Sequence, residues 1–443
     1  MDILNEASRA YDRLAPFREA RQRFKRFAYG LQWGDMMTAP DGSRLTEGEY
    51  ASLNGRVPLT NNMIHRLVKT IVGHFRSRED QADNADDHNR LPELDARMLE
   101  EFLISGCAVQ RVVSEKRPEG TGVWVDNVAP DRFFCSEIHD PRSIDAELVG
   151  MIHDWSVAET IGRFAGGSRR RAEEIRRLYA TAGSRSPGSL FAAAGEGRCR
   201  VIEVWTLEAT ARLRCHDPLT SALYSVAADR EEEIAALNRK RARRGQPRVT
   251  TRFEYTTDWV GRFLTPEGVE LSRSTARRHP FAIKFYPLID GEIHPFVEGL
   301  IDQQKHVNRL ITLIDNMMST SAKGVLLFPE DQLCDQLEWD DVRNLWASYD
   351  GVIPYNPQPG VPGPQQVVTN PATSGAYELV NLEMKLFEKA GGVSDSLQGH
   401  SAGGTGNSAS LFDAQTRNSM AALADIFRSF DDFRLSRNRL LQA

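Results

Sequence analysis

Cysteine is scarce in this chain. Five residues in 443, Cys107, Cys135, Cys199, Cys215 and Cys334, are scattered with no CxxC pair. An odd, unpatterned set excludes a disulfide framework and a cysteine-based zinc site. It fits a reducing compartment and reads as small packing residues. Long apolar runs are missing too: with no stretch of about 18 apolar residues, no membrane-spanning helix is expected. The opening segment MDILNEASRAYDRLAPFREARQRFKRF is charged throughout and lacks the apolar stretch of a signal peptide, which implies a soluble protein made in a cytoplasm.

Catalytic signatures are a third absence. There is no GxSxG, no HExxH, and no Cys–His pair in a recognisable context. GGTGNS at Gly403–Ser408 lacks the lysine of a phosphate-binding loop and follows no buried strand, so it reads as a hinge. Asn407 or Ser408 would then cap the last helix. His139, Asp140, His153 and Asp154 match no ligand spacing, and His153 and Asp154 fall on opposite faces of a strand. No catalytic residue, cofactor-binding residue, cofactor or metal ligand is assigned.

What is present is an ordinary globular balance, 41% hydrophobic and 26% charged, with a formal net charge of -6. That excludes a surface that clings everywhere to nucleic acid, while leaving room for local basic patches. Residues 5–29 read as one basic amphipathic helix with Leu14, Phe17, Phe24 and Phe27 along one side. YGLQWGD at Tyr29–Asp35 is a turn bracketed by Gly30 and Gly34 and anchored by Trp33. In Arg56–Arg78, Pro58 marks an extended segment and Asn61 or Asn62 an N-cap, after which Met63, Leu67, Thr70, Ile71 and Phe75 run at helical spacing. Residues 79–90 form an acidic loop.

A helix near Leu94–Ile104 leads into CAVQRVVSE and GVWVDNVAPDRFF, which alternate like antiparallel strands. A turn at Asp140-Pro141, a strand at Leu148–Trp155 and a helix capped by Ser156 follow. Residues 166–198, rich in Gly, Ser and Arg, read as a mobile insertion with one short basic helix. Strands at Arg200–Leu213 and Thr251–Phe263 flank an acid-to-base helix whose charges complement its dipole. Residues 350–375 form a Pro/Gly-rich extended connector, and a helix spans Tyr377–Ala390.

FVEGLIDQQKHVNRLITLIDNMM, at Phe296–Met318, carries the strongest helical pattern. Val297, Leu300, Val307, Leu310, Ile311, Ile314 and Met318 share one side, with Gln303 and Gln304 inside it and Asn308 at its border. Amides on an apolar face need hydrogen-bonding partners on neighbouring elements or subunits. The final pattern, Ser408–Leu441, has its own stripe, from Phe412 through Met420, Leu423, Ile426, Phe427 and Phe430 to Phe433. It then fades into Arg434, Arg437 and Arg439, as in a helix that leaves its core.

The order YGLQW, PLTNNMIHRLVKTIVG, GCAVQRV, VAPDRFF with IHDPRSIDA, VIEVW, GLIDQQKHVNRLITLIDN, then VSDSLQG with a glycine loop and a long helix, resembles the portal (head-to-tail connector) proteins of podovirus-type tailed bacteriophages. Gly30, Gln32 and Trp33 match that family's aromatic turn, and Asn62 the asparagine opening its first wing helix. Asp140 and Pro141 match its Asp-Pro turn, Gln303 and Asn308 the polar pair of its central helix, and Gly399 the glycine before its flexible loop. All are structural positions.

The resemblance implies an α+β, mostly helical fold, with a portal-like wing of antiparallel strands and a long stem-type C-terminal helix. It implies a homo-oligomeric ring of about twelve subunits, in a virion assembled in the host bacterial cytoplasm. Its implied partners are the terminase motor, capsid protein, tail adaptor proteins and double-stranded DNA passing without sequence specificity, with no membrane. The expected divisions are 1–90 (helical wing part), 91–165 (α+β wing part), 166–198 (insertion), 199–400 (β-rich and helical wing part with central helix 293–321) and 401–443 (glycine loop and stem helix). The clip, second stem helix and crown of similar portals are not found before Ala443. Arg434, Arg437 and Arg439 are the candidates for a DNA-proximal position. Two other classes stay open: a nucleic-acid-binding scaffold using the Arg169–Arg177 and Arg239–Arg244 runs, and an unrecognised hydrolase.

Overall fold

The computed structural model describes residues 3–79, 88–117, 120–180, 197–321, 325–347, 351–367, 373–392 and 421–442. It divides into two compact units. Unit 1 comprises Met1–Lys25, Val68–Glu298 and Met420–Ala443, and unit 2 Arg26–Leu67 and Gly299–Ser419. Each is discontinuous in sequence, and residues 90 and 91 both lie inside unit 1.

Helices α1 (Ile3–Arg13) and α2 (Ala15–Ala28) stand where one helix was expected. Pro16 explains the break, because it has no N–H to continue the ladder. Strands β1 (Met36–Thr38) and β2 (Arg44–Thr46) form a small ribbon. Helix α3 (Glu47–Leu53) follows, closed by a capping box between Thr46 and Glu49. Helices α4 (Met63–Glu79) and α5 (Leu91–Ser105) precede strands β3 (Cys107–Arg117), β4 (Gly120–Asn127), β5 (Phe133–Cys135) and β6 (Leu148–Ser156).

Ser156 caps α6 (Val157–Phe164) by accepting from the Glu159 N–H. The basic helix α7 (Arg169–Ala180) is seated by the fully buried Ile175 and by Tyr179, whose hydroxyl donates to the Arg200 carbonyl at 2.8 Å. That part of the expected insertion is therefore packed structure, and residues 181–196 lie outside the described residues. Next come β7 (Arg198–Asp217), β8 (Ala222–Ala227), α8 (Glu231–Arg243), β9 (Thr250–Leu264), β10 (Glu270–Ala276) and β11 (Phe281–Phe285).

The two-residue strands β12 (Leu288–Ile289) and β13 (Glu292–Ile293) turn on Asp290 and Gly291, both at positive φ. That is the backbone twist a two-residue hairpin needs. Unit 2 then supplies α9 (Ile301–Ser321), β14 (Val325–Leu327), α10 (Trp339–Ala347), β15 (Gln365–Val367) and α11 (Thr373–Ala390). Helix α12 (Ala424–Leu441) returns to unit 1.

Unit 1 is layered. One sheet has the order β10-β9-β7-β6-β5, with β8 also pairing β7, and a second has the order β11-β3-β4. All their pairings are antiparallel. Strand β7, 20 residues and roughly 65 Å long at 3.3 Å per residue, is the spine. On one side it pairs β9, and on the other β6 over Arg198–Thr206 and then β8 over Arg212–Asp217.

Alternation along the strands fixes the layers. Ile202 and Val204 face Leu4, Ala7 and Ala10 of α1. Trp205 and Val149 face the second sheet, meeting Cys107, Val109, Phe281 and Ile283. The opposite face of that second sheet carries α5 and α12. A helix, two sheets and a helix layer follow from where the side chains of one period-2 pattern point. Gly150 makes the inter-strand packing possible. A Cβ there would lie 2.3 Å from the Glu203 carbonyl oxygen and 2.4 Å from the Phe134 ring.

Helix α12 does not leave this core. Ile426, Phe427, Phe430 and Phe433 are buried, each stabilising by roughly 1.5–3 kcal/mol. Phe430 meets Phe75 edge-on with ring centres 5.4 Å apart, and Phe102 at 5.7 Å. The expected stem-like departure after Phe433 is thus not seen. Two of the arginines that break the apolar pattern, Arg434 and Arg437, are held by a buried acid, so the helix keeps its seat as far as Arg437. Residues 393–420 lie outside the described residues, and with them the glycine loop, Gly399 and the first part of the expected long helix.

Candidate functional site

Unit 2 is organised by buried amides. Helix α9 presents Gln304, Asn308 and Thr312, one turn apart, to the extended segment before α4. Thr312 Oγ1 accepts from Leu59 N at 3.0 Å, and Asn308 Oδ1 from Asn61 N at 3.0 Å. Gln304 Oε1 accepts from Met63 N at 2.9 Å and Ile64 N at 3.2 Å, while its Nε2 donates to the Asn61 carbonyl at 2.7 Å. The match is geometric. Four residues of helix rise about 6 Å and two residues of extended chain about 6.6 Å, so alternate N–H groups meet successive turns. The helix side chains do the work of a neighbouring strand.

The turn at Gly30–Trp33 closes the network. Asn308 Nδ2 donates to Gln32 Oε1 at 2.5 Å. Gln32 Nε2 donates to the Phe27 carbonyl at 2.8 Å and to Asn62 Oδ1 at 3.0 Å. Asn62 caps α4 by accepting from His65 N at 3.0 Å and donates to the Ala28 carbonyl at 2.9 Å. Gly30, at φ +93°, follows α2 in a backbone conformation that favours glycine, and lies against the Asn62 amide. Trp33 Nε1 donates to Thr60 Oγ1 at 3.1 Å.

Five sequence-selected residues, Gly30, Gln32, Trp33, Asn62 and Asn308, therefore meet in one place. Gln303 does not join them. Positions 303 and 308 differ by about 140° around a helix, whereas Gln304 sits one turn from Asn308 and donates to it at 3.1 Å. The polar pair is Gln304–Asn308. On the outer face of α9, Lys305 bonds Asp35 at 3.0 Å and also pairs with Glu47, to which Arg309 adds a contact at 3.0 Å.

Among the described residues, unit 1 holds buried charge clusters that sequence reasoning missed, and two of them centre on fully buried acids. Asp95 on α5, fully buried, receives Arg437 and, at 2.9 Å, Arg434. Gln110 on β3 donates to it at 3.2 Å and to Asn127 at 2.9 Å. Arg437 is 2% exposed. Of the three arginines proposed as DNA-proximal, the buried Arg437 and the partly exposed Arg434 are thus both tied to Asp95, since a buried acid without its cation would be very costly. The signal was a single acid on the apolar face of a helix, with Met98, Leu99 and Phe102.

The second cluster is Glu203, the one acid in the run VIEVW. It accepts from Arg111 and His153 at 2.8 Å each and from Trp205 Nε1 at 2.9 Å. Burial alone would raise its pKa, but Arg111, His153 and Trp205 together hold it down at about 2. Burial keeps His153 below the usual imidazole value.

Asp140 and Pro141 do form a turn. Asp140 takes four contacts from Arg142, which lower its pKa to about 2. The Pro141 carbonyl accepts from Lys284 Nζ at 3.1 Å. His153 and Asp154 point to opposite faces of β6, and Asp154 pairs with Arg200 at 2.9 Å. Among the described residues no group of His, Cys, Asp and Glu could hold a metal ion, and no helix is long and apolar enough to cross a membrane.

Buried amides and ion pairs spent on joining distant segments, in a frame of layered antiparallel sheets, describe a structural building block. A family model described as phage P22-like portal protein matches residues 78–441. This chain belongs to that family, whose members are structural head-tail connectors of bacteriophages. No curated protein matches it.

Proposed function

We propose that this protein is the ring-forming portal subunit at one capsid vertex, through which double-stranded DNA is packaged and ejected, docking the packaging motor and the tail. The family match over residues 78–441 carries this reading. The amide ladder of unit 2 and the charge-locked layers of unit 1 support it, since a subunit that transmits load between neighbours gains from internal rigidity. In this reading unit 1 is the core of the wing, and α12 is the foot of a stem seated on the wing sheet. Among the described residues, Arg439 is the one of the three C-terminal arginines with no acidic partner, which suits it to an anionic contact.

Native mass measurement and negative-stain imaging of the purified chain test the proposal. Closed rings of about twelve copies are expected. A monomer that binds free duplex DNA with a steep salt dependence would replace it with the nucleic-acid scaffold reading.

A further inference from the structure

Two adjoining clefts of unit 1, of about 340 and 890 Å³, share Arg278, His279 and Arg439 in their walls, and Arg277 lines the larger. All three arginines are exposed. Among the described residues none of them has an ion pair or hydrogen bond, unlike Arg142 nearby, which is tied to Asp140. The sole acid in either wall is Glu203, already held by Arg111. In a chain of formal net charge -6, three unpaired guanidiniums around one opening make a receptor for carboxylates.

The backbone beside these arginines is open as well. Strand β10 ends its sheet, so every second N–H and C=O along it points away from β9. Arg171 covers the start of that edge, donating to the Glu270 and Leu271 carbonyls at 3.3 Å each. Ser272–Ala276 have no outer strand partner among the described residues, and the edge runs directly into Arg277 and Arg278. Trp205, Gly261 and Ser274 are in register across β7, β9 and β10. Ser274 and Ala276 therefore point to the face that meets the second sheet, and both line the larger cleft. A strand added beside β10 would aim alternate side chains into that cleft.

The size of the opening narrows the choice of anion. The larger cleft is walled by both sheets, by Val112 and Val113 of β3 on one side and Trp205 and Phe263 on the other. Packed sheets lie about 10 Å apart, which leaves no room for a DNA duplex, whose major groove alone is about 12 Å wide. A single extended chain fits. Two acidic runs described in this chain do not qualify: Glu231–Glu233 opens helix α8, and Glu330–Asp341 begins in a 3-10 turn and ends in α10.

We infer that these clefts bind an extended acidic peptide of a partner protein, which adds as a strand along Ser272–Ala276 and sets its carboxylates against Arg277, Arg278 and Arg439. Main-chain bonds to the edge supply affinity, and the guanidiniums select acids at alternate positions. Such binding needs only unit 1 and does not depend on ring formation.

The test is fluorescence anisotropy of the full chain with a labelled peptide of alternating glutamate and threonine. Saturable binding is expected, weakening as salt rises because the arginines are exposed. Arg278→Glu with Arg439→Glu should weaken it at least about tenfold. The same double reversal at Arg244 and Arg343, both exposed elsewhere, should leave it within about twofold. Methylating the backbone nitrogens of the peptide removes its ladder donors and should also weaken binding at least about tenfold. That arm is read on the unaltered chain, so it decides even where a variant misfolds. No binding, equal binding by the two double variants, or equal binding of the methylated peptide would overturn the inference. So would duplex DNA displacing the labelled peptide more effectively than unlabelled peptide does, since that would mark a nucleic-acid site.

Discussion

Asn308 and Gln32, 276 positions apart in sequence, share a 2.5 Å hydrogen bond that closes the amide network of unit 2. Because Asn308 also accepts from Asn61 N and Gln304 Nε2, its truncation strands several buried polar groups at once. Asn308→Leu is therefore expected to cost roughly 2–4 kcal/mol, about the sum of two stranded groups. Chemical denaturation would measure it, and a double-mutant cycle with Gln32→Leu should show coupling above about 0.5 kcal/mol. A strictly additive pair would show the amides to be independent. Gln303→Leu, outside the network, should be milder than Asn308→Leu.

The Asp95 cluster predicts an asymmetry between breaking and replacing a buried pair. Arg437→Met should destabilise by roughly 3–5 kcal/mol, since it leaves a buried carboxylate short of its cation. The double variant Asp95→Leu/Arg437→Met should recover at least half of that loss. Equal destabilisation in the single and double variants, read from thermal melts, would mean that packing rather than charge fixes α12.

Charge reversal at the C-terminal arginines should separate by position. Arg434→Glu and Arg437→Glu place a second acid against Asp95 and should lower the melting temperature sharply. Arg439→Glu, exposed and unpaired among the described residues, should stay within about 0.5 kcal/mol of the parent. A large loss at 439 would show that its guanidinium is structural after all.

Stability should fall in acid in two stages. Burial holds His279 at about 4, below its ordinary 6.5. As pH drops from 6.5 towards 4, the unfolded chain takes up a proton that the folded ring refuses, and stability declines. Glu203 is held at about 2 against an ordinary 4.5. Its contribution is complete above 4.5 and is lost as pH falls from there towards 2. Urea midpoints across pH 2–8 would show both limbs. His279→Phe should flatten the upper one, and Glu203→Gln should lower stability at pH 7 by roughly 3–5 kcal/mol while removing the lower limb. An unchanged profile in either variant would assign the acid sensitivity elsewhere.

Gly150→Ala forces a methyl into the space of the Glu203 carbonyl and the Phe134 ring. Overpacking of that kind should cost roughly 1–3 kcal/mol. Gly162→Ala, in helix α6 where a Cβ meets nothing within 4 Å, serves as the control and should be neutral to stabilising by up to about 1 kcal/mol. Equal stabilities would mean that the inter-strand packing gives way easily.

The sequence by itself determined the elements and their caps. Period-2 alternation in β3, β4, β6 and the Arg200–Leu213 stretch, Ser156 and Asn62 as caps, and the apolar side of α9 are local properties, set by side-chain spacing and backbone preference. The turn at Gly30–Trp33 and the amides of α9 were legible for the same reason: glycine at a helix end and amides on an apolar face each announce a constraint.

What only the tertiary structure decided was which distant groups meet. Gln304 rather than Gln303 faces Asn308 because a 100° step per residue separates neighbours that look alike in sequence. Arg434 and Arg437, read as the free basic end of a departing helix, turn inward because Asp95, more than 300 residues earlier, waits for them. Partners that far apart leave no periodic trace in the chain, and only folding brings the charges within reach.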